Sequence, residues 1–339
     1  YKGANLGDSI SRFILTDLSM KDNNLLINKA ELFASSEAMS ANEGKAILEA
    51  QGKILNINSE LPIFDNLVVN FNDLVNISLI NILIKESDNE KPFISDGQIK
   101  GKISVNGQYP EIKLLGDAYI QNAQIPSLNT EIDNMFLVFK PDIIEIPNSD
   151  ITIVNSNAQI KGNILNKFTS PLKILELDIN SKNINYDEIV ESFSTTFKST
   201  STDTNIENIP IPPIVIEKGK LSADEFIYEG LLCKNLKADI SISDDWFCNI
   251  NNLHVDVTTG EVNGDLAYNF YTTDMSGTLE AKNVLANAFA STFLNMPNEI
   301  YGDLSGTVSF TTRGLTEEEI FKNLSGSAGF NLLDGRMIR

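Results

Sequence analysis

The chain has 339 residues, 42% of them hydrophobic and 21% charged, with a formal net charge of -20. That apolar content is enough to bury a surface and excludes wholesale disorder. The acid excess excludes nucleic acid, whose phosphates call for Lys and Arg, and a basic patch for an anionic membrane face. It leaves a soluble, self-repelling exterior.

The first residue is Tyr1, and no signal-peptide pattern follows it. The longest apolar run, Ile77 to Ile84, is interrupted by Ser78 and Asn81, whereas a spanning helix needs about 20 apolar residues. The chain is therefore expected to be a soluble portion of a longer protein. Next come strands. Ile99, Gly101, Ile103 and Val105 alternate with polar residues, a period of two that puts one apolar face on each strand.

A repeat then emerges. At an offset of 102, Ile151, Ile153, Ile160, Gly162 and Ile164 fall on Leu253, Val255, Val262, Gly264 and Leu266. At an offset of 100, Lys182-Asn183-Ile184 falls on Lys282-Asn283-Val284, and Phe193 on Phe293. "AQGKILN" (Ala50 to Asn56) echoes "IKGNILN" (Ile160 to Asn166) in the same order. Gly97, Gly219 and Gly335 each precede a polar-apolar pair, 122 and 116 residues apart, and read as module starts. The modules are expected over 1–92, 93–213 and 214–339.

Helical spacing interrupts the strands at Asp187 to Phe197, with Ile189, Val190, Phe193 and Phe197 on one face. It does so again at Val284 to Leu294, with Leu285, Ala288, Phe289 and Phe293. Between them, Ser199 to Pro213 reads as an exposed linker. Later strands alternate strongly: Leu236, Ala238, Ile240 and Ile242; Leu253, Val255 and Val257; Val262, Gly264, Leu266, Tyr268 and Phe270. Thr316 with Glu319 predicts a capping box and a third helix over Glu317 to Leu324. Short strands separated by Asn, Asp, Gly and Ser predict an antiparallel meander, since parallel pairing would need crossover helices.

Few residues suggest chemistry. Two cysteines, Cys233 and Cys248, lack metal-ligand spacing. With a turn at Asp244 and Asp245, Cys233 would face a residue near Asp256 rather than Cys248, so both read as thiols. His254 is the only histidine and sits on the polar parity of a strand, which makes it a solvated side chain rather than part of a triad. Glu317, Glu318 and Glu319 suit a helix's first turn, Asp334-Gly335 lacks calcium-loop spacing, and Trp246 reads as packing at a turn or groove edge. No Gly-rich phosphate loop precedes a helix. The reading is of a protein that is not an enzyme, with no cofactor and no metal.

A sheet with one apolar face must cover it, as a sandwich, a barrel or a trough. Modules of about 100 residues in series favour a quasi-linear solenoid. About 20 strands at ~4.8 Å would extend roughly 100 Å.

The segment from Tyr301 to Arg339, through Gly302, Leu304, Gly306, Gly314, Leu324, Gly326 and Asp334-Gly335, resembles the C-terminal region of the AsmA-like family of AsmA, TamB and YhdP type. The resemblance is good over Gly219 to Arg339, fair over Asp96 to Phe193 and thin before that. It implies an all-β fold with a few short helices: an elongated, repeat-built antiparallel sheet curled into a taco-like groove. It further implies the periplasmic part of a cell-envelope protein anchored in the inner membrane, moving phospholipid to the outer membrane. Its partners would be phospholipid acyl chains, a membrane reached through segments outside this chain, and envelope proteins at the ends. The expected groove residues are Ile99, Ile103, Val105, Ile160, Ile164, Leu236, Ile240, Ile242, Leu253, Val255, Val257, Val262, Leu266, Tyr268, Phe270, Leu279, Val308, Phe310, Phe330 and Leu332. The alternative is a structural or adhesive β-repeat protein of the envelope or surface with a dry core.

Overall fold

The computed structural model describes residues 10–34, 46–76, 95–109, 111–126, 129–167, 171–189, 191, 214–293 and 298–337. The linker read at Ser199 to Pro213 and the apolar run from Ile77 lie outside them. The chain is all-β, with seventeen strands in one antiparallel sheet, as the period-two alternation predicts. In chain order these are β1 (Ile10–Lys21), β2 (Asn24–Ala34), β3 (Leu48–Leu55), β4 (Ile63–Asn76), β5 (Gln98–Gln108), β6 (Glu111–Ile125), β7 (Thr130–Phe139), β8 (Ile143–Ile153) and β9 (Ser156–Leu165). They continue as β10 (Leu172–Asn185), β11 (Ile214–Tyr228), β12 (Leu231–Ile242), β13 (Phe247–Val257), β14 (Gly260–Asn269), β15 (Asp274–Leu285), β16 (Ile300–Arg313) and β17 (Ser325–Met337). Helix α1 (Ala286–Phe293) follows β15, and α2 (Glu317–Lys322) follows β16.

Two compact units divide the chain: Tyr1–Ile153 with Lys161–Leu172, and Val154–Ile160 with Lys173–Arg339. The module boundaries read at 92/93 and 213/214 thus fall inside the first and second units. Pairing explains the first case, because β4 and β5 share a ladder across residue 92.

In the first unit each strand from β1 to β8 pairs with the next. Asp22 and Asn23, both left-handed (φ 50 and 64), make the β1–β2 turn. Two positive φ values match the twist of the flanking strands. Apolar residues line up across the ladders: Val75 opposite Ile99, Ile99 opposite Ile120, and Ile120 opposite Met135. Val75 and Ile99 are buried. Asn166, just past β9, is also buried. Its amide donates to the carbonyls of Leu114 and Lys140, each at 2.6 Å. Losing such partners would cost about 1–3 kcal/mol.

In the second unit β11 to β17 form a meander, again each with its successor. The expected helices start where the spacing puts them, within two residues. A helical turn occupies 186–189, directly after β10; Val190 and Phe193 to Phe197 lie outside the residues whose side chains are described. Helix α1 begins at Ala286, because Val284 and Leu285 still belong to β15. Strand ends and helix starts are therefore 100 residues apart in both copies, as the repeat predicts. The hairpins differ: Val154 and Thr258, both at φ 56, open equivalent turns 104 residues apart rather than 102. A shift of two keeps every side chain on its face. Gly219 and Gly335 adjoin register shifts, but the three module-start glycines lie before β5, inside β11 and near the end of β17. They do not mark one position along a strand.

Candidate functional site

The apolar face of the second unit is built row by row. Ile240 lies opposite Ile250, Ile250 opposite Leu266, Leu266 opposite Gly277, and Gly277 opposite Phe310. Further along, Val255 faces Val262, Val262 faces Ala281, and Ala281 faces Gly306, which faces Phe330. Glycine is required at Gly306 by close approach, because a Cβ there would collide with the Gly329 carbonyl oxygen. On Gly277 a Cβ would fall 2.5 Å from Leu266 Cδ2, which would have to shift.

Plain alternation fails at one point in several strands. Asn235, Asn252 and Asn283 stand in β12, β13 and β15 with φ near 50°, and the register shifts beside each. An inserted left-handed residue is a β-bulge, and Asn tolerates that conformation best after Gly. Each bulge reverses parity, so Cys233 joins the face of Leu236, and Val284 joins that of Ala281.

The result is a floor and a pocket. Ala223, Cys233, Leu236, Val255, Val257 and Val284 pack as a buried cluster. Above it lies a pocket of about 340 Å³ bordered by Phe226 and Tyr228 of β11, Leu231 and Cys233, Val255 and Val257, Val262, Leu279 and Ala281, Leu304 and Val308, Phe289 of α1, and Phe330 of β17. A flat run from β11 to β17 would spread over about 29 Å, so one pocket of that size touching all seven strands requires a concave face. Phe289 and Phe330 close one side, with ring centroids 6.4 Å apart. The lining carries no charged side chain.

Of the expected groove residues, Val255, Val257, Val262, Leu279, Val308 and Phe330 line this pocket. Leu236 and Leu253 belong to the packed floor instead. Leu266 and Phe310 lie in the apolar row of Ile250 and Gly277, beside a second, shallower depression that Asn249, Asp265, Thr278 and Ser309 line on the opposite face. Ile240 packs over Gly219, Ile242 faces Cys248, and Leu332 faces Leu304. Tyr268 meets Phe270 edge to face at 5.3 Å, but β14 ends at Asn269, so Phe270 is exposed past the strand rather than continuing it. In the first unit Ile103 faces Val69 and Val105 faces Leu67, on the face of buried Ile99. Ile160 and Ile164 alternate on β9 as expected. Sequence reading missed Phe226, Tyr228, Leu231, Ala281, Val284, Phe289 and Leu304. The recurring Lys-Asn pair before Leu236 and Val284 was the available signal.

Charged residues sit elsewhere. Cys233 faces Val257, one residue from Asp256 as expected, and both cysteines are free. Burial pushes both thiols up. His254 Nδ1 lies 2.8 Å from Asn263 Oδ1 and its Nε2 3.4 Å from Asp256, on the face away from the pocket. Thr316 caps α2, accepting from the Glu319 N–H, while the Glu319 carboxylate accepts from the Leu315 N–H. Among the described residues no three His, Cys, Asp or Glu side chains could hold a metal ion.

At one end of the pocket a rim forms. Glu229 and Gly230 (φ 50 and 72) make the β11–β12 turn, and the Asp187 carboxylate accepts from both of their N–H groups at 2.8 Å. The Tyr186 ring meets Tyr228 at 5.4 Å and Phe226 at 6.2 Å in tilted contacts, while Phe226 and Tyr228 stack on each other. Burial, then acidic neighbours, raise the Tyr186 phenol; burial, then Tyr186 and the acids, raise that of Tyr228. No family model, curated protein or solved structure matches the chain.

Proposed function

We propose that the chain carries lipid acyl chains on the concave apolar face of its sheet, without catalysing a reaction, and so serves phospholipid transport between membranes. The observation that carries this reading is the pocket of about 340 Å³ with its uncharged, apolar lining. Ligand sites fall between roughly 300 and 1,000 Å³ and orient their ligands with a few polar groups; here a bare hydrocarbon surface suits a bare hydrocarbon ligand. Leaving a 16-carbon tail in water costs on the order of 12 kcal/mol, which a continuous apolar face would offset. The resemblance of Tyr301 to Arg339 to AsmA-like proteins supports the same function and a place in the periplasm.

Native mass spectrometry of the purified chain, with a photo-crosslinker at position 308 or 307, tests it. The expected result is bound phospholipid, crosslinked from 308 in the pocket and not from 307 on the opposite face. Protein-only crosslinks at 308 and no lipid mass would leave a dry-cored structural repeat as the correct reading.

A further inference from the structure

The rim beside the pocket has its own chemistry. Tyr186 is 43% exposed, yet its ring packs at a tilt against Phe226 and Tyr228, which line the pocket. The three rings therefore bridge the apolar interior and solvent. The charged side chains acting on the two phenols are Asp187 and Glu229, both acids. The backbone of the turn holds the Asp187 carboxylate in place through two hydrogen bonds. A ligand whose tail enters the pocket would set its polar end against π faces and carboxylates. Aromatic faces attract cations, and the attraction strengthens as the site loses water. An anionic end would meet repulsion from the same acids.

We propose that this rim selects lipids whose head group ends in a cationic ammonium, as choline and ethanolamine lipids do, over anionic glycerol head groups. The inference rests on the acyl-chain reading and adds the head-group class. Asp187 supplies a negative charge held by the turn, Glu229 an exposed one, and Tyr186 the ring open to solvent.

The test is a lipid-transfer or capture assay with vesicles of phosphatidylcholine, phosphatidylethanolamine or phosphatidylglycerol, alongside titration with free phosphocholine. The wild type should favour the two ammonium lipids by about tenfold, equivalent to ~1.4 kcal/mol. Glu229→Lys and Tyr186→Ala should each remove most of that preference. Glu111→Lys, an exposed change of equal charge on β6, controls for the net charge of -20. If Glu111→Lys erases the preference as fully as Glu229→Lys, or if all lipids bind alike, the rim has no such role and acyl carriage alone survives. Phosphocholine bound without any lipid would uphold the rim and end the carrier reading. Neither bound ends both.

Discussion

A charge placed in the pocket measures how apolar its wall is. Val308 of β16 lies between Leu279 and Ala328 on the apolar face and borders the pocket. Val308→Asp removes a half-buried side chain, a loss of about 1 kcal/mol. The new carboxyl enters a lining with no charged side chain, so its pKa should rise by about two to three units, each worth 1.36 kcal/mol. A raised folded-state pKa in an acid means the penalty is absent below the unfolded value near 4 and grows as pH climbs to the folded value. Between pH 5.5 and 8 the extra loss should be about 1–2 kcal/mol, and at pH 8 the total about 4–5 kcal/mol. For a unit of this size that is a melting shift of about 10 °C. Thr307→Asp, exposed on the other face opposite Glu280, should cost no more than about 1 kcal/mol with little pH dependence. Thermal melts at pH 5.5 and 8 stay above the sequence pI of about 4.4. Equal melting curves for the two variants at both pH values would refute the placement of Val308.

Cys233 borders the pocket and is 5% exposed, whereas Cys248 is only half-buried. With both thiols pushed up by burial, a thiol reagent at pH 8 should label Cys248 first, and added phospholipid should slow Cys233 alone; equal protection of both would contradict the pocket. Asn283→Val forces a β-branched residue to φ 53 and should cost about 1–3 kcal/mol in urea unfolding, while Asn283→Gly should be near neutral. Similar losses for Val and Gly would mean that the side chain of Asn283, not its backbone, holds the bulge.

The fold class was legible because one-sided burial imposes a period of two, and that signal survives over strands such as β14. Helix positions were legible too, since "NAFASTF" breaks the alternation with helical spacing. The pairing of Cys233 near Asp256 followed from a turn at Asp244 and Asp245 alone. The pocket was half legible. Counting by twos from Leu236 places Cys233 on the wrong face, and counting from Ala281 does the same to Val284, because each count crosses a left-handed Asn. Phe226 and Leu231 were hidden for the same reason, as neighbours of Cys233. Phe289 was read on a helix face, but nothing in its spacing says that the face turns toward Phe330. Leu253 illustrates the opposite error: correct parity, yet a place in the packed floor, since parity does not report depth.

The same three asparagines help explain where the sheet is concave. Bulges bend their strand and increase its local twist, and those at Asn235, Asn252 and Asn283 sit on neighbouring parts of the sheet. On one side of them lie the β11–β12 and β13–β14 turns, α1 and the pocket. On the other side the rows from Ile240 through Ile250, Leu266 and Gly277 to Phe310 run without insertion from β12 to β16, and the shallower depression with Asn, Ser and Thr along it lies on the opposite face of those strands. Curvature and the apolar pocket thus coincide at the bulged end of the sheet. An Asn costs less at φ near 50° than other residues with a Cβ, so the chain can place a bend without giving up a strand, and "Lys-Asn" before an apolar residue marks where it does so in β12 and β15. Because the bends reverse parity as they curve the sheet, one set of residues both shapes the trough and decides which side chains face into it.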